Sequence, residues 1–272
     1  MKRNSNPYVL VTGASNGIGK GIVEECAAKG LNVLLVALED ESLHQYLAEL
    51  KQRYPSQSFD AFGVNLCLPE SPYQVKEWCE KNSYHVEILV NNVGMGNAGA
   101  FQKLPTDFYQ CQLQLNISTL VVLTHLFLPD LESAPKGYIL NVSSLAAFFD
   151  IPYKSTYAAS KKFVLGFSRS LRKELEATNV TVTVLCPAAV LTSAEVIQRD
   201  KEMGKAAKWT QQSIEEVAKY GLNHMFKGHP IAIPGFLPKA YRVVSWFIPH
   251  PILMRMLARA FERAYVKGRD EK

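Results

Sequence analysis

The residues best suited to do chemistry are Tyr157 and Lys161, set four apart in Tyr157-Ala158-Ala159-Ser160-Lys161. That spacing puts both on one face of a helix, a turn apart. A phenol titrates near ~10 and is a poor base at neutral pH, whereas an ammonium beside it favours the phenolate. Such a pair can pass a proton to or from an oxygen, and the lysine can also donate to a sugar hydroxyl. Taken alone, Tyr and Lys at this spacing are ordinary helix surface, so the pair gains meaning from its surroundings. Upstream, the apolar run Tyr138-Ile139-Leu140-Asn141-Val142 reads as a strand ending in Ser143-Ser144. A hydroxyl there can hold an oxygen on which charge develops, although serines at strand ends also form plain turns.

A second constellation lies near the start of the chain, Val9-Leu10-Val11-Thr12-Gly13-Ala14-Ser15-Asn16-Gly17-Ile18-Gly19. It reads as a strand, a glycine turn and a helix. Glycines permit a tight turn and let backbone N–H groups approach a pyrophosphate, and the helix start adds donors and partial positive charge. Opening the first βα unit, the G-x-x-x-G-x-G spacing favours a dinucleotide over a bare turn. The tip of the second strand, Ala37-Leu38, carries neither the acid that binds a ribose 2′-hydroxyl nor a base for a 2′-phosphate. Glu39, just beyond, either turns inward or stays solvated. The missing tip acid leans the reading to NADP(H) and leaves NAD(H) open.

The elements that must position these residues follow a βαβ rhythm. Strands are expected at Tyr8–Val11, Asn32–Val36, Ser58–Val64, Val86–Asn91, Gly137–Val142, Thr181–Cys186 and Ile231–Ile233. Most are continuously apolar, as in parallel strands buried on both faces. Helices are expected at Gly19–Lys29, Ser42–Arg53, Ser71–Lys81, Thr106–Leu131 and Thr156–Glu176. The succession predicts an α/β fold, a Rossmann-type doubly wound parallel sheet in three α/β/α layers. Ligand is expected at the carboxyl ends of the strands. No linker, repeat or low-complexity tract divides the 272 residues, so one domain is expected.

A hydrophobic share of 47% against 20% charged residues is a globular balance. The net charge of +5 is spread without a dense Lys/Arg run, which argues for a solvated surface rather than nucleic-acid binding. Cys26, Cys67, Cys79, Cys111 and Cys186 form no C-x-x-C pair, so free buried thiols in a reducing compartment are expected, with neither a disulfide framework nor a metal site. The apolar stretch Tyr8–Val11 is too short for a signal peptide, and a cytoplasmic location is expected.

With these motifs in this order, the chain resembles the short-chain dehydrogenase/reductase family in its shorter single-domain branch. The resemblance runs from Tyr8 to about Thr192. It rests on the glycine turn, Asn91-Asn92-Val93-Gly94 after the fourth strand, Asn116 in the next helix, Ser144, Tyr157 with Lys161, and Cys186-Pro187-Ala188-Ala189-Val190-Leu191-Thr192. The resemblance implies a catalytic tetrad of Asn116, Ser144, Tyr157 and Lys161, and interconversion of a ketone and a secondary alcohol. It implies cofactor contacts at Gly13, Ser15, Asn16, Gly17, Ile18, Gly19, Leu38, Asn65, Leu66, Asn92, Gly94, Tyr157, Lys161, Pro187, Val190 and Thr192. Three positions depart from the pattern: Ala188 replaces a glycine, Asn65 stands where an Asp commonly meets the adenine, and Leu38 stands where many NADP-dependent relatives carry Arg. The resemblance also implies a homodimer or homotetramer built from the helices carrying Asn116 and Tyr157, and a lid over residues 193–210. A dinucleotide-binding sensor without catalysis, or a membrane-recruited interaction protein, is the alternative on the same fold.

The segment after Ser144, Leu145-Ala146-Ala147-Phe148-Phe149-Asp150-Ile151-Pro152-Tyr153, lines the substrate cleft in that family. Its apolar content suits a hydrophobic small carbonyl or alcohol substrate, or else packs the loop or meets another subunit. The extension 235–272 is apolar, broken by prolines, and ends in an amphipathic helix over 252–263 with a basic polar side. Packing on the domain or on a partner subunit is expected, with membrane-surface contact as the alternative. No run in this extension is long enough to span a bilayer.

Overall fold

The computed structural model describes residues 7–96, 99–190, 212–245 and 247–265. Strands β1 (Tyr8–Thr12), β2 (Asn32–Ala37), β3 (Phe59–Gly63), β4 (Val86–Asn91), β5 (Gly137–Val142), β6 (Val180–Leu185) and β7 (Ile231–Ala232) form one sheet. Their order is β3-β2-β1-β4-β5-β6-β7, every pair parallel. Alternate residues of the inner strands feed two cores. Val9, Val11, Leu35 and Val90 pack under helices α1 (Gly17–Ala28), α2 (Glu41–Arg53) and α7 (Ile214–Phe226). Leu10, Leu34, Leu89 and Ile139 pack against α3 (Ser71–Lys81) and α5 (Thr119–Ser133). Both faces are thereby covered, which is why the strands read as unbroken apolar runs. The strand order reverses between β1 and β4, and the crevice beyond their carboxyl ends is the switch point where such sheets bind ligands.

Three local features differ from the sequence expectation. The helix expected from Thr106 to Leu131 is α4 (Thr106–Leu113), a single π-helical turn (Gln114–Ser118) and α5. The π-turn carries Asn116, and extra residues of this kind often re-aim a functional side chain. As one body, Thr106–Ser133 is long and apolar enough to cross a membrane. Here it lies on the sheet, with Phe127, Leu123 and Leu131 fully buried. Helix α7 was not among the expected elements, although its start is legible. Ser213 and Glu216 form a reciprocal capping box ahead of buried Val217, Ala218, Leu222 and Met225.

The third difference concerns the thiols. Cys26, Cys79 and Cys186 are buried thiols, and burial pushes Cys26 and Cys79 up to about 12. Cys67 and Cys111 instead form a disulfide with Cα atoms 5.0 Å apart, correcting the expectation of five free cysteines. Their sequence separation of 44 conceals a contact that exists only in the fold. The loop after β3 is drawn to the π-turn helix where the Thr119 hydroxyl donates to the Leu66 carbonyl at 3.0 Å.

Candidate active site

The glycine turn leaves β1 at Thr12, whose hydroxyl organises the floor of the crevice. It donates to the Val90 carbonyl (3.3 Å) and accepts from the N–H groups of Asn92 (3.0 Å) and Val93 (3.1 Å). The Asn92 amide donates back to the carbonyls of Thr12 (2.8 Å) and Gly13 (3.2 Å), so Asn92 braces the turn rather than facing away from it. Gly13 sits at φ +65°, a conformation that favours glycine. Asn16 caps α1, its side-chain oxygen accepting from the Gly17 N–H at 2.7 Å. Ile18 and Gly19 lie in the first turn of α1, where N–H groups lack partners within the helix. A Cβ at Gly19 would overlap the Gly13 carbonyl oxygen. That obstacle is backbone and cannot rotate away. We expect Gly19→Ala to push the α1 start off the turn, costing about 1–3 kcal/mol of stability as overpacking does. Fluorescence titration with NADPH is expected to show at least a ~tenfold loss of affinity, since each 1.4 kcal/mol is a factor of ten. Unchanged binding would mean that the turn does not hold the cofactor.

Three of the four expected tetrad residues, Asn116, Tyr157 and Lys161, lie around the loop 92–96. Asn116, 1% exposed, accepts from the Met95 N–H (2.9 Å) and donates to the Met95 carbonyl (3.0 Å) and to the Ser160 hydroxyl (2.9 Å). Ser160 in turn donates to the Tyr157 carbonyl at 2.8 Å. Asn116 therefore fixes both the loop and the first turn of α6 (Ser155–Glu174), the helix carrying Tyr157 and Lys161. The Lys161 ammonium is buried, donates to the Val142 carbonyl at 3.0 Å and lies 5.9 Å from the Tyr157 ring centre. Burial pulls its pKa down from 10.5 to about 8. A Cβ at Gly94 would stand 2.8 Å from the Asn116 side-chain oxygen and 3.3 Å from the Lys161 nitrogen, and one at Gly96 3.7 Å from the Tyr157 ring. Gly94 thus lets the loop pass close to Asn116 and Lys161, whereas a side chain at 96 would make ordinary contact with the Tyr157 ring.

Ser144 caps the turn Leu145–Phe148, its hydroxyl accepting from the Ala146 N–H at 3.1 Å. Its neighbour Ser143 donates to the Lys161 carbonyl at 2.7 Å and is structural. The Pro187 carbonyl accepts from the Leu145 N–H at 2.8 Å, tying the 187–190 segment to the Ser144 turn. Gln212 holds that segment from the other side. Its side chain accepts from the Ala188 N–H (3.2 Å) and donates to the Pro234 carbonyl (2.5 Å), while its backbone pairs with buried Val190. Thr192 and the expected lid at 193–210 lie outside the described residues. Sequence reading gave no role to Met95, Ser160 or Gln212. Only Ser160 left a trace, as the fourth residue of Tyr157-Ala158-Ala159-Ser160-Lys161. Tyr153, the last residue of the segment expected to line the cleft, sits at φ +65°. A non-glycine residue in this conformation is uncommon, and here it turns the chain into α6.

A family model described as short chain dehydrogenase matches residues 7–203. The chain belongs to the short-chain dehydrogenase/reductase family. It is similar to human 17-beta-hydroxysteroid dehydrogenase type 3, 34% identical over 232 residues, 83% of this chain and 70% of that protein. It is similar to very-long-chain 3-oxoacyl-CoA reductase-A of Danio rerio, 31% identical over 198 residues, 71% of this chain and 60% of that protein. Among solved structures, a 7beta-hydroxysteroid dehydrogenase superposes with a TM-score of 0.82 at 22% identity, covering 93% of this chain and 96% of that one. A short-chain dehydrogenase from Sphingobium yanoikuyae in complex with NADPH gives a TM-score of 0.75 at 26% identity, with coverages of 89% and 96%. The chain is thus an enzyme of a family that acts on CH–OH and C=O groups with NAD(P).

In this short-chain dehydrogenase/reductase the positions expected to meet the cofactor beyond the glycine turn lie at and after the tip of β2. Leu38 at the β2 tip is 60% exposed. The Glu39 carboxylate is paired with His44 and fills the space that a Cβ at Gly63 would need. The Asn65 side-chain oxygen accepts from the Cys67 N–H at 3.0 Å, and Leu66 is buried. Ser15 stands on the turn, Asn16 caps α1 and Gly17 is its first residue.

Proposed function

We propose that this enzyme interconverts an apolar ketone and its secondary alcohol with NADP(H), Tyr157 exchanging the proton. The observation that carries the reading is the buried Lys161 ammonium, held by the Val142 carbonyl at 3.0 Å and 5.9 Å from the Tyr157 ring centre. The first-turn N–H groups of α1 and the compressed Gly13–Gly19 turn fit a pyrophosphate, and Lys161 fits a ribose hydroxyl. When bound, the nicotinamide supplies or accepts the hydride. Ser144 donates to the carbonyl oxygen as charge builds on it. Tyr157 delivers the proton to that oxygen, and the charge of Lys161 stabilises the phenolate left behind. Asn116 acts at one remove, as a positioning residue holding Met95 and, through Ser160, the Tyr157 backbone.

The preference for NADP(H) rests on two observations. The Glu39 carboxylate is engaged by His44, so it is not a ready acceptor for a ribose 2′-hydroxyl. The Sphingobium yanoikuyae relative carries NADPH. An apolar substrate is favoured by Leu145, Phe148, Phe149 and Ile151 after Ser144, and by the steroid and long-chain acyl substrates that the relatives' names carry. Fluorescence titration is expected to show tighter binding of NADPH than of NADH. A screen of oxosteroids and 3-oxoacyl substrates is then expected to show consumption of bound NADPH. Binding without turnover on any ketone would favour the sensor instead.

A further inference from the structure

The last two helices hold little of the core. In α8 (Phe236–Ser245) Pro238 is buried, and none of the described side chains of α9 (His250–Tyr265) is. Phe236 and Phe247 are 82% and 81% exposed, and Val243, Val244, Ile252 and Met256 are about half exposed. Large apolar side chains gathered at a surface mark a contact with another phase or molecule. Cations accompany them: Lys239, Arg255 and Arg259 are exposed, and residues 236–265 hold five Lys or Arg against one Glu. Most of the +5 net charge of the whole chain is therefore carried by these thirty residues.

We propose that α8 and α9 dock on an anionic lipid surface. Amphipathic helices of this composition lie in the headgroup plane, apolar side chains reaching the acyl boundary and cations meeting acidic headgroups. A second copy of the chain is the poorer occupant, since face-to-face docking would oppose two cationic surfaces. The helices are also joined to the segment that follows Ser144. Helix α8 packs on the turn Leu145–Phe148. His250 hydrogen-bonds Asp150 at 2.9 Å, and Asp150 accepts from Lys162 of α6 at 2.6 Å. Docking thereby places the mouth over Ser144 at the lipid boundary. A ketone dissolved in the bilayer then reaches the site without crossing water, a consequence that rests on the function proposed above. The docking itself does not depend on it.

The test is co-sedimentation of the full chain with phosphatidylcholine vesicles, with and without phosphatidylserine. Binding is expected only with phosphatidylserine, and weaker at high salt. The double variant Arg255→Gln/Arg259→Gln is expected to bind roughly thirtyfold more weakly, at about fivefold per lost cation. Phe247→Asp/Met256→Asp is expected to lose at least ~tenfold. NADPH titration of both variants reads whether the domain is still folded. Absence of binding to acidic vesicles, or binding indifferent to both double variants, overturns the proposal. So does sedimentation velocity showing a dimer that Phe247→Asp/Met256→Asp turns into monomer without any vesicle binding, because the face is then a self-interface. Vesicle binding by a chain that turns over no ketone would keep the docking and remove the function.

Discussion

Tyr157→Phe is expected to abolish ketone reduction while leaving NADPH binding nearly intact. The substitution removes one hydroxyl and no ring atom. The ring keeps its place on α6, and the backbone carbonyl of residue 157 still accepts from Ser160. Cofactor dissociation constants measured by fluorescence should therefore agree within about twofold, the scale of ~0.4 kcal/mol. Turnover loses the proton donor for the developing alkoxide, a contribution of roughly 10²–10⁴-fold in general acid–base catalysis. Ser144 and Lys161 remain, but a hydroxyl already capping the Leu145–Phe148 turn and an ammonium held by the Val142 carbonyl cannot replace it. The decisive measurement is single-turnover oxidation of bound NADPH with an apolar ketone. A rate near the wild-type value would sink the assignment of Tyr157, whatever the binding data show.

The expected catalytic residues could be proposed from sequence because the pattern that suggests them is local. Tyr157 and Lys161 are one helical turn apart, Gly13 to Gly19 form one turn, and Ser144 closes one strand. The supporting contacts were not legible because they join distant segments. Asn116 reaches Met95 and Ser160 across 21 and 44 residues, and Gln212 reaches Ala188 across 24. No periodicity or spacing records such pairs. The Cys67–Cys111 link was hidden for the same reason. The C-terminal extension shows the opposite limit. Its amphipathic pattern was plain, yet pattern alone cannot say whether an apolar stripe meets the domain, and the exposure of Phe236, Phe247 and Met256 answers that it largely does not.

The buried lysine to which the proposed reaction gives a role is expected to cost the fold stability, and Lys161→Met separates the two effects. Burial lowers the Lys161 pKa from 10.5 to about 8. Between those values the unfolded chain keeps a proton that the folded protein has released, so stability rises with pH through that window. Below pH 8 the folded protein bears the whole desolvation cost, about 3 kcal/mol at 1.36 kcal/mol per unit. Methionine fills similar space without a charge, at the loss of the hydrogen bond to the Val142 carbonyl, worth about 1–2 kcal/mol. The apo variant is therefore expected to be more stable than wild type at pH 7 by roughly 1–2 kcal/mol, a Tm rise of a few degrees. The advantage should shrink as pH climbs from 8 toward 10.5, where wild type no longer has to bury a charge. Turnover should nevertheless fall by roughly 10³-fold or more, with weaker cofactor binding, because the phenolate and the ribose both lose their cation. Thermal denaturation of both proteins across that pH range reads the first effect, and NADPH titration with single-turnover kinetics reads the second. A methionine variant less stable at pH 7, with a difference from wild type that does not change with pH, would show that Lys161 is not held against its own solvation. An active site that keeps a destabilised ammonium in place argues that the charge is retained for chemistry rather than for folding.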